Sequence, residues 1–121
     1  MKTNKLIINI DSASYPIFIG TNLIPNLSKI LFNNSIKFEK CLLVIDKKVP
    51  KILVSKIKKS FKNKKIYSYL INANEKNKNQ KSINAILEVL LQKNFSRQDC
   101  LITIGGGITG DVGGFAASLF K

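Results

Sequence analysis

The chain has no histidine, one arginine (Arg97), two cysteines and no long apolar run, and each shortage removes a class of function. Without histidine, and with Cys41 and Cys100 too far apart for a Cys-x-x-Cys pattern, nothing assembles a typical zinc site. Metal chemistry has to come from residues outside this sequence. Each cysteine opens an apolar run, where a thiol usually serves as a small buried hydrophobe, so neither redox chemistry nor a disulfide is expected. No stretch approaches the roughly 20 apolar residues of a membrane span. The opening Met1-Lys2-Thr3-Asn4-Lys5-Leu6 is too short and too alternating for a signal peptide. These absences lead to the expectation of no membrane partner and a cytoplasmic location.

The scarcity of arginine also decides how to read the charge. The formal net charge is +13. Clustered cations gain affinity for nucleic acid by releasing counterions, but base-edge and bidentate phosphate recognition favours arginine, and these cations are lysines dispersed along the chain. No aromatic residues interleave with them as a stacking platform would require. The expectation is no nucleic-acid partner, with a basic nucleic-acid-binding module kept as a remote alternative.

What is present is the alternation of a layered α/β unit. Leu6 to Ile10 and Tyr15 to Ile19 read as a strand pair around the polar turn Asp11-Ser12-Ala13-Ser14. Leu23, Ile24, Leu27, Ile30 and Leu31 recur at helical spacing, with Thr21 or Asn22 as the expected cap. Cys41 to Ile45 is a continuous apolar run ending in Asp46, the pattern of a strand covered on both faces. A helix follows, with Pro50 near its start and Val49, Leu53 and Ile57 on one face. Ile66 to Ile71 reads as a strand and Asn72 to Gln80 as a polar loop. Ser82 then caps a helix carrying Ile83, Ile86, Leu87, Leu90 and Leu91 and ending near Asn94. Leu101 to Ile104 is a last strand, running into three glycines and then a tightly packed helix to Lys121. Strands alternating with helices imply a doubly wound, Rossmann-like, mostly parallel sheet preceded by a β-hairpin, in one domain spanning residues 1–121. Because the sequence stops inside an apolar helix, the domain is expected to be incomplete at its carboxy terminus.

The chemistry concentrates at Gly105-Gly106-Gly107-Ile108-Thr109-Gly110-Asp111. Gly105, Gly107 and Gly110 satisfy G-x-G-x-x-G between a strand and a helix, where backbone N–H groups can approach a pyrophosphate and the helix dipole favours the anion. The bland alternative is a glycine-rich turn for close helix packing, a role also expected of Gly113 and Gly114. Asp46, at a strand end, either accepts hydrogen bonds from ribose hydroxyls or caps the next helix, and spacing leaves the two even. Glu75 and Lys78 read by themselves as a solvated loop. Asp111 either complements the helix dipole or orients a ribose or substrate hydroxyl on the nicotinamide side.

The segment Gly105 to Asp111, followed by Gly114-Phe115-Ala116-Ala117, resembles the hallmark of the 3-dehydroquinate synthase family. Ser14 to Gly20 is similar to that family's amino-terminal hairpin, Val44-Ile45-Asp46 to its first nucleotide strand, Glu75 to Ser82 to its glutamate-lysine loop, and Ser96-Arg97-Gln98-Asp99 to the lead into the last strand. The resemblance implies NAD contacts at Asp46, Glu75, Lys78, Gly106, Gly107, Ile108, Thr109, Gly110 and Asp111, reversing the bland reading of Glu75 and Lys78. Two positions depart from the pattern: Ala73-Asn74 stands for a usual Asp-Gly, and Lys48 for a common Asn. The resemblance further implies conversion of 3-deoxy-D-arabino-heptulosonate 7-phosphate to 3-dehydroquinate and phosphate, in the shikimate pathway. Catalytic NAD and a divalent metal, zinc or cobalt, serve that reaction in a homodimer. The metal ligands and most substrate residues belong to a carboxy-terminal helical domain missing here, so the fragment alone is expected to be inactive. Related sugar-phosphate cyclases and the glycerol-dehydrogenase-like group are the nearest alternatives.

Overall fold

The structure is a computed structural model that describes residues 4–10 and 13–121. Its centre is β3 (Lys40–Asp46), whose residues Cys41, Leu42, Leu43, Val44 and Ile45 are all buried. Parallel neighbours β4 (Lys65–Ile71) and β5 (Cys100–Ile104) flank it, giving the order β4-β3-β5. Successive strand side chains point to opposite faces, so β3 supplies two cores. Leu42 and Val44 pack with Ile86 and Leu90 of α3 (Gln80–Gln92) and with Val112 and Ala116 of α4 (Gly107–Phe120). Cys41, Leu43 and Ile45 pack on the other face with Ile57 of α2 (Lys51–Ser60), and with Leu27 and Leu31 of α1 (Leu27–Asn33). Each such aliphatic side chain contributes about 1.5–3 kcal/mol on burial. Helices on both faces of a parallel sheet give the doubly wound architecture expected from the alternation.

The hairpin is also present. β1 (Asn4–Ile10) pairs antiparallel with β2 (Ala13–Ile19) from Asn4 opposite Ile19 to Ile10 opposite Ala13. It forms a separate two-stranded sheet. The turn residues Asp11 and Ser12 lie outside the described residues.

Several boundaries and caps differ from the sequence reading. The residues at the N-cap positions are Leu23 and Asn26 instead of Thr21 or Asn22. Asn22 has φ +58°, and Ile24–Asn26 forms a 3-10 turn, with Pro25 in its first positions, before α1 begins. Leu53 is not on the buried face of α2, being 36% exposed. The sheet instead meets Val54, Ile57 and Phe61, a stripe at three- and four-residue steps. Asn79 rather than Ser82 caps α3, since the Ser82 N–H donates to Asn79 Oδ1 at 3.0 Å. That helix ends as expected: Asn94 at φ +57° lets the Phe95 N–H reach the Leu90 carbonyl, the left-handed closure that satisfies last-turn acceptors.

Strand order places the functional end. The chain leaves β3 for α2 on one face and leaves β5 for α4 on the other, so their paths diverge at the carboxyl ends of two adjacent strands. In open α/β sheets such a switch point opens a crevice where ligands bind.

Candidate functional site

Asp46 closes β3 and the glycine run closes β5, so both line this crevice. The run is less of a loop than its spacing implied. α4 begins at Gly107, so Ile108, Thr109, Gly110 and Asp111 are already helical, and only Gly105 and Gly106 form the turn. No side chain caps α4, and the first intrahelical bond runs from the Gly110 N–H to the Gly106 carbonyl at 3.1 Å. The N–H groups of Gly107, Ile108 and Thr109 are thus without a helical acceptor, at the positive end of the helix dipole. A Cβ added at Gly106, Gly107 or Gly110 would meet nothing within 4 Å. Protein packing does not demand glycine there, while close approach by an outside group does make use of it.

Gly105 has a different reason to be glycine. Its φ is +150°, and a Cβ would lie 2.7 Å from Thr109 Oγ1 and 3.0 Å from the Asp46 Cβ. The bare Cα lets the turn fold against Thr109 and the end of β3 together. Thr109 itself is fully buried, and its hydroxyl has no hydrogen-bond partner among the described residues. The side chain faces the turn from beneath, so any ligand contact of Thr109 has to come from its backbone N–H. Gly113 fits the packing role, because a Cβ there would overlap the Thr103 methyl. Gly114 does not fit it: it is exposed, with nothing near its missing Cβ.

Asp46 is not a helix cap either. The residue at the start of α2 is Pro50, and Asp46 Oδ1 accepts from the Lys48 N–H at 3.1 Å in a local turn. Its other carboxylate oxygen has no hydrogen-bonded partner among the described residues, and the side chain lines a cleft of about 590 Å³ with Val49, Lys51 and Leu70.

Glu75 and Lys78 lie at the same edge, at the two ends of a 3-10 turn, Glu75–Asn77, and not in open loop. Asparagines hold it: Asn74 Oδ1 accepts from the Asn77 N–H, Asn77 Nδ2 donates to the Asn72 carbonyl at 2.7 Å, and Asn79 Nδ2 donates to the Lys76 carbonyl at 2.7 Å. Residue types gave no sign of this order beyond the density of asparagine, whose side chains readily close turns on their own backbone. The turn carries Lys78 to Asp111, one helical turn into α4, with Nζ to Oδ2 at 3.1 Å. The Asp111 carboxylate beside it, through its hydrogen bond and then its charge, holds the Lys78 ammonium above its ordinary value, and Glu75 adds to this. Ile108 lines a smaller cavity of about 180 Å³ with Asn72, Ala73 and Asn77. Asp46 with Gly105, and Lys78 with Asp111, are therefore brought together. No group of three or more His, Cys, Asp or Glu side chains able to hold a metal occurs among them.

Residues 68–121, from within β4 to the chain end, match the family described as 3-dehydroquinate synthase N-terminal. The chain is 55% identical to the 3-dehydroquinate synthase of Pelagibacter ubique over 117 residues, covering 97% of this chain and 32% of that protein. The chain is thus similar to members of the 3-dehydroquinate synthase family. A second member, from Alkaliphilus metalliredigens, is 34% identical over 116 residues, 96% of this chain and 32% of its own length. The chain thus spans about a third of the length of these members of the family.

Among solved structures, a crystal structure of 2-deoxy-scyllo-inosose synthase superposes with a TM-score of 0.85 at 19% identity, over 96% of this chain and 33% of that one. A crystal structure of 2-deoxy-scyllo-inosose synthase complexed with carbaglucose-6-phosphate, NAD+ and Co2+ gives the same TM-score and identity over 96% and 31%. Fold is what that likeness establishes. No described helix is long and apolar enough to cross a membrane.

Proposed function

We propose that residues 1–121 form the amino-terminal NAD-binding domain of a 3-dehydroquinate synthase, incomplete at its carboxy end. The observation that carries this is the uncapped start of α4 behind the Gly105-Gly106 turn, next to a half-engaged Asp46 at a topological switch point. The free N–H groups of Gly107, Ile108 and Thr109 suit a pyrophosphate, and the open space at Gly106, Gly107 and Gly110 admits it. Asp46 suits the hydroxyls of a ribose. Lys78 and Asp111, with Glu75 behind, suit the polar groups beyond the pyrophosphate; Lys78 offsets the negative charge that Asp111 would otherwise present there. Bound NAD would accept and return a hydride, and this chain's residues would hold and orient it.

The reaction assigned to the full-length protein is conversion of 3-deoxy-D-arabino-heptulosonate 7-phosphate to 3-dehydroquinate and phosphate, an elimination of the lyase class, in a cytoplasmic homodimer. A divalent metal is part of that reading, consistent with the Co2+ and NAD+ bound in the cyclase complex. The side chains described here offer it no ligand set, so it belongs to the remaining two-thirds of the family's length. The fragment by itself is expected to be inactive. A related sugar-phosphate cyclase remains the second reading, because its fold is shared.

Titration calorimetry with NAD at constant ionic strength tests the domain assignment. Saturable binding with one site per chain is the expected outcome. Heat from duplex DNA with steep salt dependence, and none from NAD, would replace this reading with nucleic-acid binding. Synthase turnover by residues 1–121 alone would refute the expected inactivity.

A further inference from the structure

Cys41 and Cys100, unremarkable in the sequence, are direct partners across the central strand pair, Cys41 of β3 opposite Cys100 of β5. Neighbouring strands lie about 4.7–4.9 Å apart, within the Cα separation of about 4.4–6.8 Å that a disulfide spans. Both side chains fall on the sheet face covered by α1 and α2: Cys41 is in that core, and Cys100 packs against it. Both are free thiols, Cys41 buried and Cys100 partly exposed. Cys100 also lines a surface cavity of about 340 Å³ together with Lys37, Arg97, Lys121 and Asp99, which gives a small reagent a route to it.

We propose that Cys41 and Cys100 form an oxidisable dithiol, which a hydroperoxide closes into an internal disulfide and a small-molecule thiol reopens. The roles follow from access. Cys100 is the attacking sulfur: its thiolate takes the distal oxygen of the peroxide, the O–O bond breaks, and the leaving oxygen picks up a proton as water or alcohol. The resulting sulfenic acid sits beside Cys41, whose sulfur attacks Cys100 Sγ. The S–S bond forms, the S–O bond breaks, and hydroxide departs with the Cys41 proton as water. Two thiols lose two electrons in total and one peroxide gains them. The Cys41 thiol, through its hydrogen bond to the Cys100 sulfur, lowers Cys100 from the usual thiol value; burial and the Asp99 charge oppose this, and the Lys121 charge assists it. The same hydrogen bond, with burial, pushes the Cys41 thiol up, so it remains protonated until the second step. The chemistry requires neither NAD nor the rest of the family's length.

The test is one equivalent of hydrogen peroxide added to the chain, read by intact mass, by thiol alkylation after denaturation, and by peptide mapping. The expected product is lighter by two hydrogen atoms, has no alkylatable thiol, contains a peptide linking Cys41 to Cys100, and reverts with dithiothreitol. Cys100→Ala is expected to slow peroxide consumption at least about tenfold, because only the buried thiol remains. Cys41→Ala is expected to react at Cys100 but to gain oxygen, having no resolving thiol; circular dichroism checks that both variants are folded. Retention of two alkylatable thiols in the unsubstituted chain overturns the proposal, as does oxygen addition at Cys100 without a cross-link, or a disulfide between two chains.

Discussion

The two ends of the parallel sheet use their polar groups in opposite ways. At the amino end the groups are bonded to one another. Asp99 Oδ1 accepts from the Lys40 N–H at 3.0 Å, and its Oδ2 accepts from the Ser96 N–H at 2.9 Å and the Ser96 hydroxyl at 3.3 Å. Lys40 Nζ donates to the Lys93 and Asn94 carbonyls at 3.0 and 2.9 Å, closing the end of α3. At the carboxyl end α4 is uncapped, Asp46 engages one oxygen, and the Lys78–Asp111 pair faces solvent. The larger cavity, about 660 Å³, is at the amino end, lined by Lys40, Ser96 and Asp99. Volume alone would therefore select the end opposite to the one proposed to bind NAD. Donors and acceptors without internal partners are a better guide to where a ligand is bound, because forming their bonds displaces no existing one.

The strongest way to break this comparison is Gly105→Ala. The substitution forces an L side chain into φ +150° and against Thr109 and Asp46. A stability loss of about 1–3 kcal/mol is expected in denaturant titrations, with NAD affinity down at least about tenfold by calorimetry. Unchanged affinity would mean that the turn does not shape the ligand site.

Next in size is the complementary change at the amino end, Asp99→Ala, expected to cost about 1–2 kcal/mol of stability and to leave NAD affinity unaltered. Burial tends to raise the Asp99 carboxyl, but hydrogen bonds from the Ser96 and Lys40 backbone and from the Ser96 hydroxyl outweigh it and hold the group below its ordinary value. The sign follows. A depressed folded-state value means the contribution is complete above the ordinary aspartate value, about 3.9, and is lost as pH falls through the folded-state value. Stability curves of the original and substituted chains should therefore run apart at pH 6 and converge in acid. A constant gap down to acid would show that the carboxylate's bonds are not what the substitution removes.

Much of this contrast was legible in the residues, and what was not has a physical cause. The buried strand from Cys41 to Ile45, the stripe Ile86–Leu90 and the switch from strand to helix after Ile104 all follow from apolar periodicity, which depends only on neighbours in sequence. The start of α4 at Gly107 was hidden because glycine has low helix propensity, and the helix there is held by Val112 and Ala116 packing on β3. Tertiary placement likewise decided that Thr109 points inward, that Leu53 is exposed on α2, and that Cys41 and Cys100 are neighbours. Strand register is a pairing fact, and no single segment contains it. The asparagine turn before α3 falls between these cases: its polarity was visible, but its order depends on which backbone groups the side chains reach.

The smallest expected effect separates glycines kept for packing or for a ligand from one with neither role. Gly113 and Gly114 are adjacent in α4, yet a Cβ at Gly113 overlaps Thr103 while one at Gly114 meets nothing. Both lie beyond the turn and the first N–H groups where the pyrophosphate is assigned. Gly114→Ala removes backbone freedom from the unfolded chain and adds a methyl to an exposed helical position. A stability gain of about 0.5–1 kcal/mol is expected from thermal or denaturant unfolding, with unchanged NAD affinity. A loss of affinity would place a ligand group against Gly114 and extend the site one turn further along α4. A loss of stability without loss of affinity would contradict the open space beside Gly114 and show that this helical position does not tolerate a methyl group.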